Sequence, residues 1–191
     1  VLAIVVPIAV ILFVIVIQPN QPLLHEYQQN RILAWLEPEK YESDEAYQQL
    51  NSVMAIGSGQ LTGKGYNSDA TTSVKNGNFI SEPQTDFIFA IIGEELGFVG
   101  CCSVIILLLL IVISCISVGM RTKDISGRII CSGVAALIGL QSFINISVAT
   151  MLFPNTGISL PFVSYGQTSV VCFYIGIGLV LNVGLQQNKY Q

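Results

Sequence analysis

The sequence predicts an all-α membrane protein, a bundle of four transmembrane helices with a large extracytoplasmic loop that contains short helices. Three observations support this fold class. Of the 191 residues, 52% are hydrophobic and only 10% are charged, whereas a soluble domain usually carries about 25% charged residues. Most of the charged residues fall between His25 and Asp86. The chain on either side consists of nearly uncharged apolar runs, each long enough or almost long enough to cross a bilayer.

The apolar runs set the bounds of the predicted elements. We expect transmembrane helices at residues 1–17, 86–120, 129–153 and 166–186, within a single membrane domain that covers residues 1–191. The first run lacks a basic n-region and a small-residue cleavage site, so it is not typical of a signal peptide. Because the chain begins without Met in the middle of this run, we expect it to be part of a longer protein.

The distribution of Lys and Arg predicts the orientation of these helices. Three basic residues lie in the connection at 121–128 and Lys189 follows the last span, whereas the turn at 154–165 contains no Lys or Arg. By the positive-inside rule, the 121–128 connection and the C-terminus are cytoplasmic. The loop at 18–85 and the 154–165 turn are then extracytoplasmic.

The loop at 18–85 is too long for a plain connection, and two parts of it are predicted to be helical. These are residues 23–36 and residues 45–56, the second of which ends before a Gly-Ser-Gly sequence. Four aromatic side chains in this loop suit the level of the lipid headgroups: Trp35, Tyr41, Tyr47 and Tyr66. A solvated loop with a few interfacial anchors is an equally good interpretation.

The predicted helix that carries Asp86 is longer than a bilayer requires. A capping-box pattern at Ser81 and Gln84 predicts its start, and a helix over residues 82–120 would be about 58 Å long at 1.5 Å per residue. The hydrocarbon core is only about 30 Å thick. Counting from the cytoplasmic end therefore places Asp86 above the core, at the level of lipid headgroups.

One face of this helix leaves two roles open for Asp86, and composition alone slightly favours an acid at the helix N-terminus over a functional one. Residues that share this face are mostly small or acidic: Asp86, Phe89, Ala90, Gly93, Glu94 and Gly97. The Gly93–Gly97 pair matches GxxxG, which allows close approach of another helix or a substrate. The alternative role for Asp86 is an acid that complements the helix dipole. Of Glu94 and Glu95, we expect one to pair with a polar group in the bundle and the other to reach the interface.

Other patterns have more ordinary interpretations. The sequence GSGQLTGKG at 57–65 is one residue short of a Walker phosphate loop, which leaves a flexible Gly-rich turn with a cation, Lys64, that could receive phosphate. Gln141 and Asn145 predict interhelical hydrogen bonds. The five cysteines lie in apolar runs without metal-ligand spacing, which favours small buried side chains. A net charge of −4 argues against a nucleic-acid partner.

Four sequence blocks together resemble one family. They occur in this order: GSGQLTGKG, SEPQTDFIFAIIGEELG, PNTGISLPFVSYG and GLVLNVGLQ. In order and spacing the chain resembles the SEDS family of bacterial shape, elongation, division and sporulation proteins, nearest the rod-shape RodA type. Members of that family have about ten spans, so the resemblance covers only the C-terminal four with the large outer loop.

The resemblance implies a peptidoglycan glycosyltransferase of the bacterial cell membrane that polymerises lipid II during elongation or division, with a class B penicillin-binding protein as partner. The family's catalytic aspartate falls on Asp86, where it would act as general base on the acceptor sugar hydroxyl. Six further residues are candidates for substrate binding: Lys64, Arg31, Glu82, Glu94, Ser164 and Tyr165. No residue is assigned to a metal, although a divalent cation such as Mg or Mn is compatible with the departure of a pyrophosphate.

Two other functions fit the same resemblance. A lipid II flippase would use the outer groove and intramembrane polar residues as a translocation path. A non-catalytic scaffold would activate a partner cell-wall synthase. A flippase needs polar groups across the full depth of the membrane, whereas the acids of this chain crowd at one interface, which favours polymerisation.

Overall fold

The computed structural model describes residues 26–37, 44–65 and 84–187. These residues form five helices: α1 (Glu26–Leu36), α2 (Asp44–Ser58), α3 (Ile88–Arg121), α4 (Ile125–Ala149) and α5 (Gln167–Gln187). All regular structure in the described ranges is helical, which confirms the all-α prediction there. Several predicted features lie outside the described residues: the span at 1–17, Tyr41, Tyr66, Ser81, Glu82 and Lys189.

Three of the helices, α3, α4 and α5, are long and apolar enough to cross a membrane. Helix α4 begins four residues before the predicted span because the side chain of Asp124 caps it, accepting a 3.0 Å hydrogen bond from the Gly127 N–H. It also ends earlier, at Ala149, and Met151 then adopts a φ of 62°. The connection between α3 and α4 is therefore only residues 122–124.

The predicted start of the Asp86 helix at residue 82 is wrong, which changes the position of Asp86 relative to the helix. Residues 84–87 form a turn, and α3 begins at Ile88, so Asp86 precedes the helix instead of lying in its first turns. The cause is tertiary. The carbonyl groups of Gln84, Thr85 and Asp86, which would accept the first helical hydrogen bonds, instead accept from groups in α4 and in the turn that follows it.

Helix α3 is interrupted at Gly97, where φ is 66° and ψ is −161°. We call residues 59–65 the Gly-rich turn. Its Lys64 and Gly65 N–H groups donate to the carbonyls of Glu94 and Glu95, at 2.9 and 3.1 Å. The N–H groups that follow the break donate back, from Phe98 to the Gln60 carbonyl at 2.8 Å and from Val99 to the Leu61 carbonyl at 3.2 Å. The turn thus supplies the hydrogen bonds that the break would otherwise leave unmade.

This contact depends on glycines. A Cβ on Gly59 would overlap the Gly93 carbonyl, and a Cβ on Gly63 would overlap the Glu95 carbonyl. A Cβ on Gly93 would lie 3.0–3.3 Å from Ile56. The close approach that GxxxG predicts is therefore confirmed, with α2 and the Gly-rich turn as the elements that approach.

The long helices also pack through small side chains. Cys115, Cys131, Ala135 and Val180 form one buried cluster where α3, α4 and α5 meet. All five cysteines are free; Cys101, Cys115 and Cys131 are buried, as expected of small hydrophobes, whereas Cys172 is exposed.

The functional segments gather at one end of the bundle. The 122–124 connection lies at the opposite end of α3 and α4 from the 150–166 connection between α4 and α5. Helices α1 and α2 belong to the second end, since Trp35 Nε1 donates to the Met151 carbonyl at 2.9 Å and Gln49 Nε2 to the Phe153 carbonyl at 2.9 Å. The turn before α3, which carries Asp86, lies there too.

Candidate functional site

The carboxylate of Asp86 faces the 154–165 turn. Asp86 is half-buried, and a Cβ placed on Gly157 would lie 3.5 Å from its Oδ2. Gly157 has a φ of +67°, a conformation that glycine adopts without strain. Because Gly157 has no side chain, this residue places no Cβ against Oδ2.

Asn145 of α4 holds the backbone of the site. Its Nδ2 donates to the Asp86 carbonyl at 2.8 Å and to the Ile158 carbonyl at 2.6 Å, and the residue is 1% exposed. One amide therefore joins the turn before α3 to the turn after α4. Its Oδ1 is buried with no hydrogen-bond partner among the described residues. The predicted interhelical hydrogen bond is therefore wrong in its partner, because the Asn145 amide bonds to turn carbonyls instead of another helix.

Ser164 and Tyr165 complete this attachment. The hydroxyl of Ser164 donates to the Thr85 carbonyl at 2.6 Å and accepts from the Leu160 N–H at 2.7 Å, while the Tyr165 N–H donates to the Gln84 carbonyl at 3.0 Å. Ser164 is buried, whereas Tyr165 is 71% exposed. Of these two substrate-binding candidates, the Tyr165 ring is the one in reach of a ligand.

Arg31 brings a cation to the same turn. Its Nη1 donates to the Asn155 carbonyl at 3.2 Å, and the Asn155 side chain accepts from the Gly157 N–H at 3.1 Å. Arg31 lies on α1, which precedes this turn by more than a hundred residues in the chain. Only the docking of α1 onto the end of α4 brings the guanidinium near the segment that faces Asp86.

Lys64 lies elsewhere. Its Nζ is 2.9 Å from Oε1 of Glu94, whose side chain is 2% exposed compared with 31% for Lys64. Glu94 is about two helical turns along α3 from the Asp86 end. The expectation that one acid pairs inside the bundle is confirmed for Glu94. The expectation that the other reaches the interface is wrong, because the Gly-rich turn covers Glu95 and buries it.

The structure thus brings Asp86, Arg31, Ser164 and Tyr165 to one cluster of turns and separates the Lys64–Glu94 pair from it, while Glu82 lies outside the described residues. Asn155 and Gly157 were not singled out from the sequence, although an Asn-x-Gly pattern is typical of a turn that needs a positive φ. Within the described ranges, no three His, Cys, Asp or Glu side chains are close enough to hold a metal ion.

Comparisons with known proteins agree on one family. A family profile described as cell cycle protein, FTSW_RODA_SPOVE, matches residues 1–189. The chain is 34% identical over 158 residues to a probable peptidoglycan glycosyltransferase FtsW of Geobacter sulfurreducens, covering 83% of this chain and 41% of that protein. It is 33% identical to the peptidoglycan glycosyltransferase MrdB of Escherichia coli K12, covering 84% of this chain and 43% of that protein. Stage V sporulation protein E of Bacillus subtilis is 37% identical, with 82% and 42% covered.

One solved structure has the same fold. It is described as "Structural coordination of polymerization and crosslinking by a peptidoglycan synthase complex", and the matching chain superposes with a TM-score of 0.67 at 27% identity. The match covers 96% of this chain and 48% of that one. The chain spans about two fifths of the length of the curated relatives that it matches. Nearness to the rod-shape type stays a prediction. The profile match over nearly the whole chain and the identities above 30% establish that the chain belongs to the FtsW/RodA/SpoVE family of cell cycle proteins.

Proposed function

We propose that this chain carries the catalytic aspartate of a peptidoglycan glycosyltransferase that polymerises lipid II into glycan strands during cell elongation or division. Two of the relatives above bear that activity in their names. The observation that carries the proposal is the setting of Asp86. Its backbone is fixed by a buried amide, and its carboxylate faces Gly157 in the 154–165 turn at the end of the bundle.

In this function Asp86 is the general base. Its carboxylate takes the proton of the acceptor sugar's 4-hydroxyl while that oxygen forms a bond to the anomeric carbon of the donor. The bond between the anomeric carbon and the lipid pyrophosphate breaks, and the pyrophosphate leaves with the electron pair. A base held on a rigid backbone contributes to catalysis by keeping the reacting atoms aligned.

Arg31 is the favoured cation for the departing pyrophosphate. Its guanidinium lies at the 154–165 turn, which also contacts Asp86, and a guanidinium matches the geometry of phosphate oxygens. Lys64 is less suited, since its ammonium already pairs with a buried carboxylate two turns away. Tyr165 offers an exposed ring beside the same segment.

The membrane setting agrees with a lipid-linked substrate. Helices α3, α4 and α5 are long and apolar enough to span a bilayer, and the Asp86 end of the bundle is where the headgroup of lipid II would lie. We place this end outside the bacterial cell membrane, from the distribution of Lys and Arg. The partner would be a class B penicillin-binding protein. The structural relative described as part of a synthase complex for polymerization and crosslinking supports this expectation.

Polymerisation fits the described helices better than transport. Residues 98–120 of α3, 129–149 of α4 and all of α5 contain no charged side chain. A path for a pyrophosphate needs polar groups along the depth of the membrane, and these helices offer none that is ionised. Among the described residues, the acidic groups other than Asp124 lie toward the Asp86 end, where chemistry on a headgroup would take place.

Substitution of Asp86 in the full-length protein tests the proposal. Asp86→Asn keeps the shape and removes the base, so polymerisation of purified lipid II with the partner present should fall at least ~100-fold. Asp124→Asn is the matched control, because Asn caps a helix about as well as Asp and Asp124 lies at the other end of the bundle. It should remain close to normal.

The outcome also separates the alternatives. Near-normal polymerisation by the Asp86→Asn variant would mean that Asp86 only complements the helix dipole and is not the base. Translocation of lipid II is measured in proteoliposomes that contain the protein, with protein-free liposomes as the background. Protein-dependent translocation without any polymerisation would instead support the flippase.

A further inference from the structure

Helix α2 has an inverted distribution of polarity. Its buried face is polar: Gln49 and Ser52 are 1% and 0% exposed, and Ser52 Oγ donates to the Ala149 carbonyl at 2.8 Å. Its outward face is apolar, with four exposed side chains: Tyr47, Leu50, Val53 and Met54. A helix whose outer side met water would turn its apolar face inward instead.

This apolar surface continues into the membrane-facing surface of α3. Leu61 of the Gly-rich turn is exposed, and its carbonyl accepts from the Val99 N–H. Phe98 and Val99 are exposed as well, and they begin the row of exposed apolar side chains that runs along the rest of α3. Since α3 is long and apolar enough to cross a bilayer, the Gly-rich turn lies at the depth where its lipid-facing surface starts.

The backbone groups freed by the break at Gly97 are hydrogen-bonded within the protein, as a position in lipid requires. Irregular backbone at membrane depth is tolerated only where its polar groups are satisfied by protein. Here the Gly-rich turn provides partners for the carbonyls of Glu94 and Glu95 and for the N–H groups of Phe98 and Val99. In water the same groups could be hydrated and would need no such partner.

The sizes of the side chains favour lipid over another helix as the occupant of the outward face. Helix contacts in membranes use small residues. In α2, Ser52 and Ala55 lie on the buried side and contact α3 or the end of α4, whereas the small Gly57 and Ser58 at its C-terminal end are exposed. Between residues 47 and 56, where the structure describes the side chains, the exposed residues are bulky and the Tyr47 hydroxyl is their only polar group.

We propose that α2 and the Gly-rich turn are embedded in the membrane leaflet that borders the Asp86 end of the bundle. Tyr47, Leu50, Val53, Met54 and Leu61 then contact the acyl chains of bulk lipid. Lys64 is partly exposed while its ammonium pairs with the buried Glu94. The long loop between the first apolar run and α3 is thus in part a membrane element.

Site-specific photocrosslinking tests this placement. The photoreactive amino acid p-benzoylphenylalanine replaces Met54 in the full-length protein, which is reconstituted in phosphatidylglycerol–phosphatidylethanolamine vesicles and irradiated, and adducts are identified by mass spectrometry. The same replacement at Leu107, an exposed position in the middle of α3, is the lipid-facing reference. Replacement of Thr156, which is exposed in the 154–165 turn, is the water-facing reference.

We expect Met54 to give phospholipid adducts in a yield like that of Leu107, and Thr156 to give none. Leu50 and Val53, on the same face, repeat the measurement where the Met54 replacement lowers the folded yield. An absence of lipid adducts at all three α2 positions would overturn the proposal. So would crosslinks to protein alone, which would mean that other helices or a partner cover this face.

Discussion

At the scale of single residues, the position of the Asp86 carboxylate depends on atoms distant in the sequence. Asn145 bonds the Asp86 carbonyl, Ser164 the Thr85 carbonyl and Tyr165 the Gln84 carbonyl. These bonds hold residues 84–86 out of the helix and set the direction in which Asp86 points. A general base works only within hydrogen-bond reach of its proton, so groups that never contact a substrate still govern the proposed reaction.

Removal of the Asn145 amide should therefore reduce polymerisation although the residue is not proposed to contact a substrate. Asn145→Leu keeps the volume and leaves two buried carbonyls without their donor, at about 1–3 kcal/mol each. A displacement of Asp86 by about 1 Å can cost roughly 100-fold in rate. Turnover of lipid II by the full-length protein is measured beside its thermal stability.

Ser142→Ala is the matched control for that variant. Ser142 is also buried on α4, but its hydroxyl donates only to the Ile138 carbonyl within its own helix. We expect nearly unchanged turnover. Equal losses in the two variants would mean that general weakening of α4, and not the position of Asp86, limits the reaction.

The sequence predicts part of this site and misses the rest for a physical reason. Asp86 is conspicuous in the sequence because a carboxylate beside a long apolar segment is unusual whatever its contacts, while its catalytic role comes from the family resemblance and stays a prediction. Asn155 and Gly157 could not, since a turn residue gains its importance only from what the turn contacts. The same holds for the start of α3, where tertiary hydrogen bonds to three carbonyls override a local capping pattern.

At the scale of elements, the junction between the Gly-rich turn and α3 is held by several independent constraints. It combines four backbone hydrogen bonds, a buried ion pair and a glycine with a positive φ. Hydropathy predicts the long helices from their length and composition alone. It does not predict the break, because a GxxxG pattern is also compatible with an unbroken helix.

A double-mutant cycle can show whether the Lys64–Glu94 pair stabilises the fold or binds substrate. Lys64→Met leaves the Glu94 carboxylate buried without its cation, and breaking a buried pair costs about 3–5 kcal/mol, less here because Lys64 is partly exposed. We expect a lower unfolding temperature and lower turnover. In the Lys64→Met/Glu94→Gln double variant both should recover in large part.

That recovery would show that Lys64 holds the Gly-rich turn. A double variant that regains stability but stays inactive would instead return Lys64 or Glu94 to the group of substrate-binding residues that the family resemblance implies.

Gly97→Ala should disrupt the junction by two independent effects. Its positive φ costs an L-residue about 1–2 kcal/mol, and the added Cβ would overlap the Gly63 N–H and crowd the Leu61 carbonyl. We expect a lower unfolding temperature and reduced polymerisation. The loss of stability is measured as the unfolding temperature of the detergent-solubilised full-length protein, and polymerisation is measured with lipid II.

The control for Gly97 has to be a glycine with free space around it. Gly119, near the other end of α3, is unsuitable because a Cβ there would lie 3.0 Å from Cys131. Gly178 in α5 has no atom within 4 Å of the corresponding position. Gly178→Ala should be neutral or slightly stabilising, since Ala exceeds Gly in helix propensity by about 1 kcal/mol. Equal unfolding temperatures and equal polymerisation in the two variants would mean that the break at Gly97 is not needed for stability or activity.

At the scale of the whole molecule, the two ends of the bundle differ in chemistry. Among the described residues, one end gathers α1, α2, the Gly-rich turn, Asp86 and the 154–165 turn, whereas the other carries the short 122–124 connection with its basic neighbours. The sequence predicted this division from charge and hydropathy. The contacts of α1 and α2 with the end of α4 agree with it, because segments assigned to one side of the membrane do gather at one end.

Labelling from outside the cell tests the orientation. In a background without the five cysteines, Thr156→Cys should react with a membrane-impermeant maleimide and Ser126→Cys should not, since both positions are exposed but lie at opposite ends of the bundle. The reverse pattern would place Asp86 on the cytoplasmic side. The proposed reaction with an outward-facing lipid headgroup would then fail.

The break at Gly97 also bears on the order in which the protein assembles. In an unbroken helix the Phe98 and Val99 N–H groups would bond to the Glu94 and Glu95 carbonyls, the same four groups that the Gly-rich turn occupies in the folded protein. Before that turn docks, α3 can therefore enter the bilayer as one straight rod with no backbone group left unpaired. When the Gly-rich turn docks, two hydrogen bonds within α3 are replaced by four hydrogen bonds to the turn, and the helix bends. The direction of the first turns of α3 then depends on the docking of the Gly-rich turn, in addition to the bonds of Asn145, Ser164 and Tyr165 that hold residues 84–86.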